Sequence, residues 1–284
     1  MSAKVPPFAA IGQNAKEVLT GGKAGVYQYN RKLTATTRAS DGVDFVTSLV
    51  FSGPGAPAEP SVKAIYKTGD TALSALFLPN GKISLSGIQS NITPGLALSA
   101  IGTYPEGDSV KFGADYNLPH VTVKATVEAA SSPIVTANIT TGRPDLFAGV
   151  DATFNSSNNE VTKWTVGAGY TAKEYQVGVL LLDKGQTIKG TYAHVLDASK
   201  GLTVAGEVNY DLNQGKKTTI IVGGQTRTSN GALIKARLDS ESILSFHWEA
   251  EVPNYRTTVG VSVQTNASNL EAPPKLGFAA SAAY

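Results

Sequence analysis

From residue 26 to the C-terminus the chain repeats one device: apolar residues at every second position, with polar or charged residues between them. In HVTVKATVEA, residues 120–129, Val121, Val123, Ala125 and Val127 fall on one side of an extended ribbon. His120, Thr122, Lys124, Thr126 and Glu128 fall on the other. The alternation recurs along Val110–Tyr116, Leu146–Phe154, Trp164–Tyr170, Leu202–Tyr210, Leu244–Val252 and Val259–Val263. A period of two is the period of a strand, so the chain reads as all-β.

Turn signals separate the ribbons: Asp41-Gly42, Pro79-Asn80-Gly81, Glu106-Gly107-Asp108, Lys184-Gly185, Asn213-Gln214-Gly215 and Asn230-Gly231. Nineteen strands are read between 26 and 284, the first over 26–37 and the last over 274–284. Strands of about ten residues, at roughly 3.3 Å each and tilted about 45°, span on the order of 23 Å, the height of a membrane barrel's apolar band.

A soluble β-sandwich also produces alternating strands at close spacing. Against it, charges recur in mid-strand on the polar face while the apolar face is nearly continuous. Aromatic residues such as Phe51, Tyr116, Phe154, Tyr170 and Tyr210 sit near strand ends, as in the girdles of membrane barrels. The pattern favours a barrel turned outward to lipid and inward to water.

No stretch approaches the roughly 20 apolar residues of a membrane-spanning helix. The net charge of +2 argues against a nucleic-acid binder, and the absence of cysteine excludes disulfides and thiolate metal sites. The N-terminus lacks the apolar run of a secretory signal.

Residues 6–20, PPFAAIGQNAKEVLT, break the alternation. Phe8, Ile11, Ala15 and Val18 recur at spacings of three and four, one stripe of a helix that starts after Pro6-Pro7 and ends at Gly21-Gly22. The expected organisation is residues 1–25 as helix and glycine-rich hinge (Gly21, Gly22, Gly25), and residues 26–284 as barrel. Such a helix can lie on a membrane surface, cap a soluble core or pack against the inside wall of a barrel. Its narrow stripe makes surface anchoring the weaker option, and a helix inside a pore would place Lys16 and Glu17 in the ion path.

With those motifs in view the chain resembles the mitochondrial porins, the voltage-dependent anion channels, over essentially its whole length. VPPFAAIGQNAKEVLTGGKAGV is similar to the family's helix and hinge, and VGAGYTAKEYQVGVLL to one of its later strand–turn–strand units. KLGFAASA, residues 275–282, resembles the terminal insertion signal through Lys275, Gly277, Ala280 and Ala282. The resemblance implies a voltage-gated, weakly anion-selective pore of the mitochondrial outer membrane. Its traffic would be inorganic anions and small metabolites including adenine nucleotides, each held weakly. It also implies a helix in the lumen, a parallel pairing of first and last strands, lipid around the barrel and room for a homo-oligomer. Two departures stand out. Gly95-Leu96-Ala97 replaces the family's Gly-Leu-Lys, and TALSALFL, residues 71–78, lacks the acidic residue some animal members carry on the fourth strand. A protein-import pore of the same superfamily and a bacterial-type porin are the alternatives. The short segment before the first strand disfavours the former, and the missing signal the latter.

Nothing indicates an enzyme or a bound cofactor. His120, His194 and His247 are read on three separate strands without cysteine partners, so no metal centre is expected. There is no Gly-x-Ser-x-Gly elbow or Walker-type loop, and Gly167-Ala168-Gly169 lacks the third glycine of a dinucleotide fingerprint. The candidate site is the pore lining. The polar faces carry Lys32, Arg38, Lys63, Lys67, Lys111, Lys124, Lys163, Lys189, Arg227, Lys235 and Arg237, against Asp115, Glu128, Asp151, Glu207, Glu249 and Glu251. Eleven cations facing six anions, with Lys16 on the helix, predict a mild anion preference. Glutamate at Lys124 and Lys235 is expected to move that preference toward cations.

Overall fold

The computed structural model describes residues 4–22, 25–53, 55–105, 110–213 and 217–284. The turns read at Glu106-Gly107-Asp108 and Gln214-Gly215, with Lys23 and Ala24 of the connector, lie outside the described residues.

The strands are β1 (Arg31–Arg38), β2 (Val43–Phe51), β3 (Glu59–Thr68), β4 (Thr71–Phe77), β5 (Ile83–Gln89), β6 (Leu96–Tyr104) and β7 (Val110–Asn117). There follow β8 (Val121–Ala129), β9 (Ile134–Gly142), β10 (Leu146–Asn155), β11 (Glu160–Thr171), β12 (Tyr175–Leu182) and β13 (Thr187–Asp197). The chain ends with β14 (Leu202–Asp211), β15 (Thr218–Arg227), β16 (Leu233–Asp239), β17 (Ile243–Val252), β18 (Thr257–Asn266) and β19 (Lys275–Ala283). Each pairs antiparallel with its sequence neighbours, and β1 also pairs with β19 in parallel, Leu33 opposite Ala280, closing a 19-stranded sheet on itself. An up-and-down chain with an odd number of strands can close only through one parallel pair. Closure leaves no edge, which a strand surrounded by lipid requires because hydrocarbon offers its backbone no hydrogen-bond partner.

Which face is inside follows from the contacts of the N-terminal segment. Lys235 touches that segment, and its cross-strand partners Gln225 and His247 share its face. Carrying the pairing round the ladder puts Lys124, Asp115, Glu128 and Thr122 inside, and Val121, Val123, Ala125 and Val127 outside. The outer face presents exposed Leu73, Leu85, Phe112, Ile139, Val150, Val179 and Val222 to the surroundings. A surface this apolar is unfavourable in water and suits hydrocarbon. The aromatic residues read from the sequence, Phe51, Tyr116, Phe154, Tyr170 and Tyr210, all fall on it near strand ends. Inside, hydroxyls pair across strands, Ser74 with Ser86 at 2.7 Å and Thr136 with Thr153 at 3.2 Å.

Three local expectations are corrected. The expected continuous helix over 6–20 is a 3-10 turn at Phe8–Ala10 followed by α1 (Gln13–Leu19), broken at Gly12, whose φ of 71° is left-handed. The first strand begins at Arg31 rather than 26, because Val26–Asn30 runs inside the wall, where Gln28 N–H donates to Ser262 Oγ at 3.1 Å. His120 lies in the turn before β8 and not on a strand.

Candidate functional site: the pore lining

All eleven wall cations lie on the inner face, but their surroundings differ. Lys111 pairs with Glu128 at 3.0 Å, Lys124 with Asp115 at 3.1 Å and Lys189 with Glu207 at 2.7 Å, each across neighbouring strands. Arg38 meets Asp44 at 3.7 Å, and Lys163 meets Asp183 of the β12–β13 connection at 3.5 Å. The exposed pairs among these contribute at most about 1 kcal/mol each to stability; Lys189–Glu207 is more enclosed, with Glu207 buried. The effect of all these pairs is to cancel charge locally. Arg227, at the end of β15, donates to Gly231 O at 3.2 Å. Among the described residues, Lys32, Lys63 and Lys67 have no carboxylate within ion-pair distance, and neither has the exposed Lys16 on α1. Uncompensated positive charge therefore stands on β1 and β3, and also at Arg227 on β15 and Lys275 on β19, neither of which has a described carboxylate within ion-pair distance.

That arc is prepared for the N-terminal segment. Val5, Ile11 and Phe147 are buried together with Phe8 and Leu180 against them, and Ala15, Val18 and Leu19 are buried against Ala193, Ala205 and Ile221. The wall has glycines where the segment comes closest: a Cβ at Gly149 would stand 2.9 Å from Phe8, and one at Gly167 3.1 Å from Ile11. Polar contacts fix the register. Thr122 Oγ1 donates to Val5 O at 2.8 Å; Gln176 accepts from Asn14 N–H at 2.8 Å and donates to Ala10 O at 3.3 Å. Lys235, wholly buried, donates to Glu17 O at 2.7 Å and Gly25 O at 3.0 Å. Arg237 donates to Leu19 O at 2.6 Å and lies 4.7 Å above the Tyr27 ring. Lys235 is thus placed under the segment and not in open lumen, unlike the sequence expectation.

Tyr27 fills the space between Arg237 and His247, edge-on to the imidazole at 6.0 Å. Burial pushes its phenol up, and the Arg237 guanidinium offsets part of that. His247 Nδ1 lies 2.9 Å from Ser262 Oγ. His194 faces outward instead, its Nδ1 2.7 Å from Tyr192 Oη. Among the described residues no group of histidines and carboxylates is arranged to hold a metal.

Of the hinge glycines, Gly25 has a left-handed φ of 59°, and a side chain there would meet Leu233 and His247. Gly21 and Gly22 turn the chain back so that Gly21 bridges Val26, and a Cβ at Gly22 would strike the Glu17 carboxylate. In β19, Lys275 and Gly277 point inward while Ala280 and Ala282 point outward. Gly277 is pressed by Gln28 O, 1.7 Å from where a Cβ would stand. Sequence reasoning missed Thr122, Gln176, Phe147 and Tyr27 as docking residues. For Phe147 a signal existed, a large apolar side chain on the polar side of its ribbon; for the others none did.

Plant mitochondrial outer membrane porins match this chain at identities from 21% to 27%. The rice mitochondrial outer membrane protein porin 5 is 27% identical over 272 residues, covering 96% of this chain and 95% of that protein. The Arabidopsis thaliana mitochondrial outer membrane protein porin 2 is 27% identical, covering 95% of each. The Xenopus laevis non-selective voltage-gated ion channel VDAC2 is 26% identical over 182 residues, 61% of this chain and 63% of its own. The eukaryotic porin family model matches residues 4–277. A closed 19-stranded barrel, apolar outside and charged within, with its N-terminal helix against the inner wall, agrees with that match over nearly its full length: the chain belongs to the eukaryotic porin family.

Proposed function

We propose that this chain forms a voltage-gated, weakly anion-selective pore of the mitochondrial outer membrane, passing ions and small metabolites such as adenine nucleotides. The observation that carries the reading is the inverted barrel, with charges lining the inside and apolar side chains outside. Barrels of 16–18 strands already enclose an aqueous channel, so 19 leave space for solutes beside a short helix. The names of the plant relatives support the membrane, and that of the Xenopus relative supports voltage gating and only a weak preference among ions.

Selectivity is assigned to long-range potential rather than to a binding pocket. Lys32, Lys63, Lys67, Lys16 and Arg227 supply uncompensated positive charge; Lys111, Lys124, Lys163 and Lys189 contribute less because a carboxylate accompanies each. Gly21, Gly22 and Gly25 act as the hinge, and Lys275, Gly277, Ala280 and Ala282 as the insertion signal. Planar-bilayer recording in asymmetric salt tests the charge assignment. Lys63→Glu with Lys67→Glu moves the reversal potential toward cations, whereas the exchange Lys124→Glu with Asp115→Lys, which keeps pair and net charge, leaves it in place. Wild-type protein that leaves liposomes impermeable to nucleotide would overturn the pore reading.

A further inference from the structure

We infer that Gln176, Lys235 and Arg237 are positioning residues: the barrel wall supplies the caps that α1 lacks in its own sequence, and these caps hold the helix in the docked state that leaves the pore open. The inference rests on the pore reading. An α-helix leaves four N–H groups at its start and four carbonyls at its end without internal partners. Here the residue before α1 is Gly12, which has no side chain to cap it, and Thr20 behind it provides no side-chain acceptor or donor for the final carbonyls beyond Lys16. Seven residues form too short a helix to persist in water unaided.

The missing partners come from strands far away in sequence. At the N-terminal end, Gln176 on β12 accepts the free Asn14 N–H and reaches back to Ala10 O. At the C-terminal end, internal bonds from Thr20 and Gly21 both stop at Lys16 O, and the carbonyls of Glu17 and Leu19 receive Lys235 and Arg237 from β16. Cations at that end also complement the helix dipole. Lys235 further ties Gly25 O, so one side chain grips both helix and connector. Its contribution to ion selectivity is therefore secondary, since its ammonium is buried and faces backbone oxygens with Glu17 and Glu249 nearby.

The test uses the full chain in bilayers, with Lys235→Met, Arg237→Met, Arg237→Lys and Gln176→Leu compared with Lys63→Met. Removing a charged donor should raise amide exchange at the α1 positions by about tenfold or more while strand amides keep wild-type protection. The same variants should lengthen low-conductance dwells at fixed voltage, and Arg237→Lys should lie between Arg237→Met and wild type. Their reversal potentials should move less than that of Lys63→Met. Because the chain has no native cysteine, a disulfide between Ala15→Cys and Ala193→Cys can tether the helix, and should restore wild-type dwells in the Lys235→Met background. Unchanged α1 exchange in the Lys235→Met and Arg237→Met variants would overturn the inference, and so would a selectivity shift equal to that of Lys63→Met with unaltered dwells. If Lys235→Met fails to assemble, Gln176→Leu and Arg237→Lys decide alone. The exchange measurement needs no conduction, so a failed cap and a failed pore reading give different results.

Discussion

At the scale of single residues, position across the wall decides what a side chain does. Ile139 stands at mid-strand on the outer face and Asn138 beside it points inward, one residue and one face apart. Ile139→Arg should destabilise the membrane-inserted barrel by about 2–4 kcal/mol in a lipid-refolding titration, the cost of an arginine facing the bilayer midplane. Asn138→Arg should cost far less. Outside the membrane, Lys217 and Glu241 approach to 2.8 Å on adjoining loops. The hydrogen bond and charge of Lys217 hold the Glu241 carboxyl below its ordinary value, and Glu241 raises Lys217. The carboxylate's contribution is present above its ordinary pKa and lost as pH falls through the lowered folded value. The amine's is present below its ordinary pKa and lost as pH rises through the raised one. The pair therefore opens at both extremes. Titration of the Glu241 side chain by NMR should show a higher midpoint in Lys217→Met; equal midpoints would mean the two loops do not hold the pair in solution.

At the scale of elements, α1 owes its existence to the wall. Its Ala15, Val18 and Leu19 are among the most deeply buried apolar residues of the described chain. Leu19 does not belong to the stripe read from the sequence, whereas Ala15 and Val18 do and were legible there. The break at Gly12 was not, because Phe8 and Ile11 keep helical spacing although the backbone between them and α1 turns left-handed to reach Phe147 and Thr191. Leu19→Ala should remove about 2–5 kcal/mol of docking free energy, measured as increased proteolysis of the N-terminal segment with intact strands. Likewise the alternation of Val26–Asn30 resembles a strand, yet these residues leave the ladder because Tyr27 packs between Arg237 and His247 instead of pairing. Period two signals extended backbone, and extended backbone need not be in a sheet.

At the scale of the whole molecule, closure and inversion are the governing facts. Every strand pairs with its chain neighbours, and the parallel β1–β19 seam completes the ring. Single cysteines at Val123 and Lys124 test the inversion directly: water-soluble maleimide should label Lys124→Cys in membranes and spare Val123→Cys. Labelling of both at equal rates would refute it.

Alternation along each ribbon, with the turn signals between, was enough to determine the number of strands and which residues share a face, because side-chain direction in a strand depends only on parity. It did not determine that Val26–Asn30 stays out of the sheet. It also identified the inner cations, since their parity is opposite to that of the lipid-facing residues. What tertiary structure alone decided is how those cations are used. Whether Lys124 meets Asp115, whether Lys63 stands free and whether Lys235 lies beneath a helix depend on register and on where the N-terminal segment docks. Both are contacts between residues distant in the chain, and parity carries no information about them.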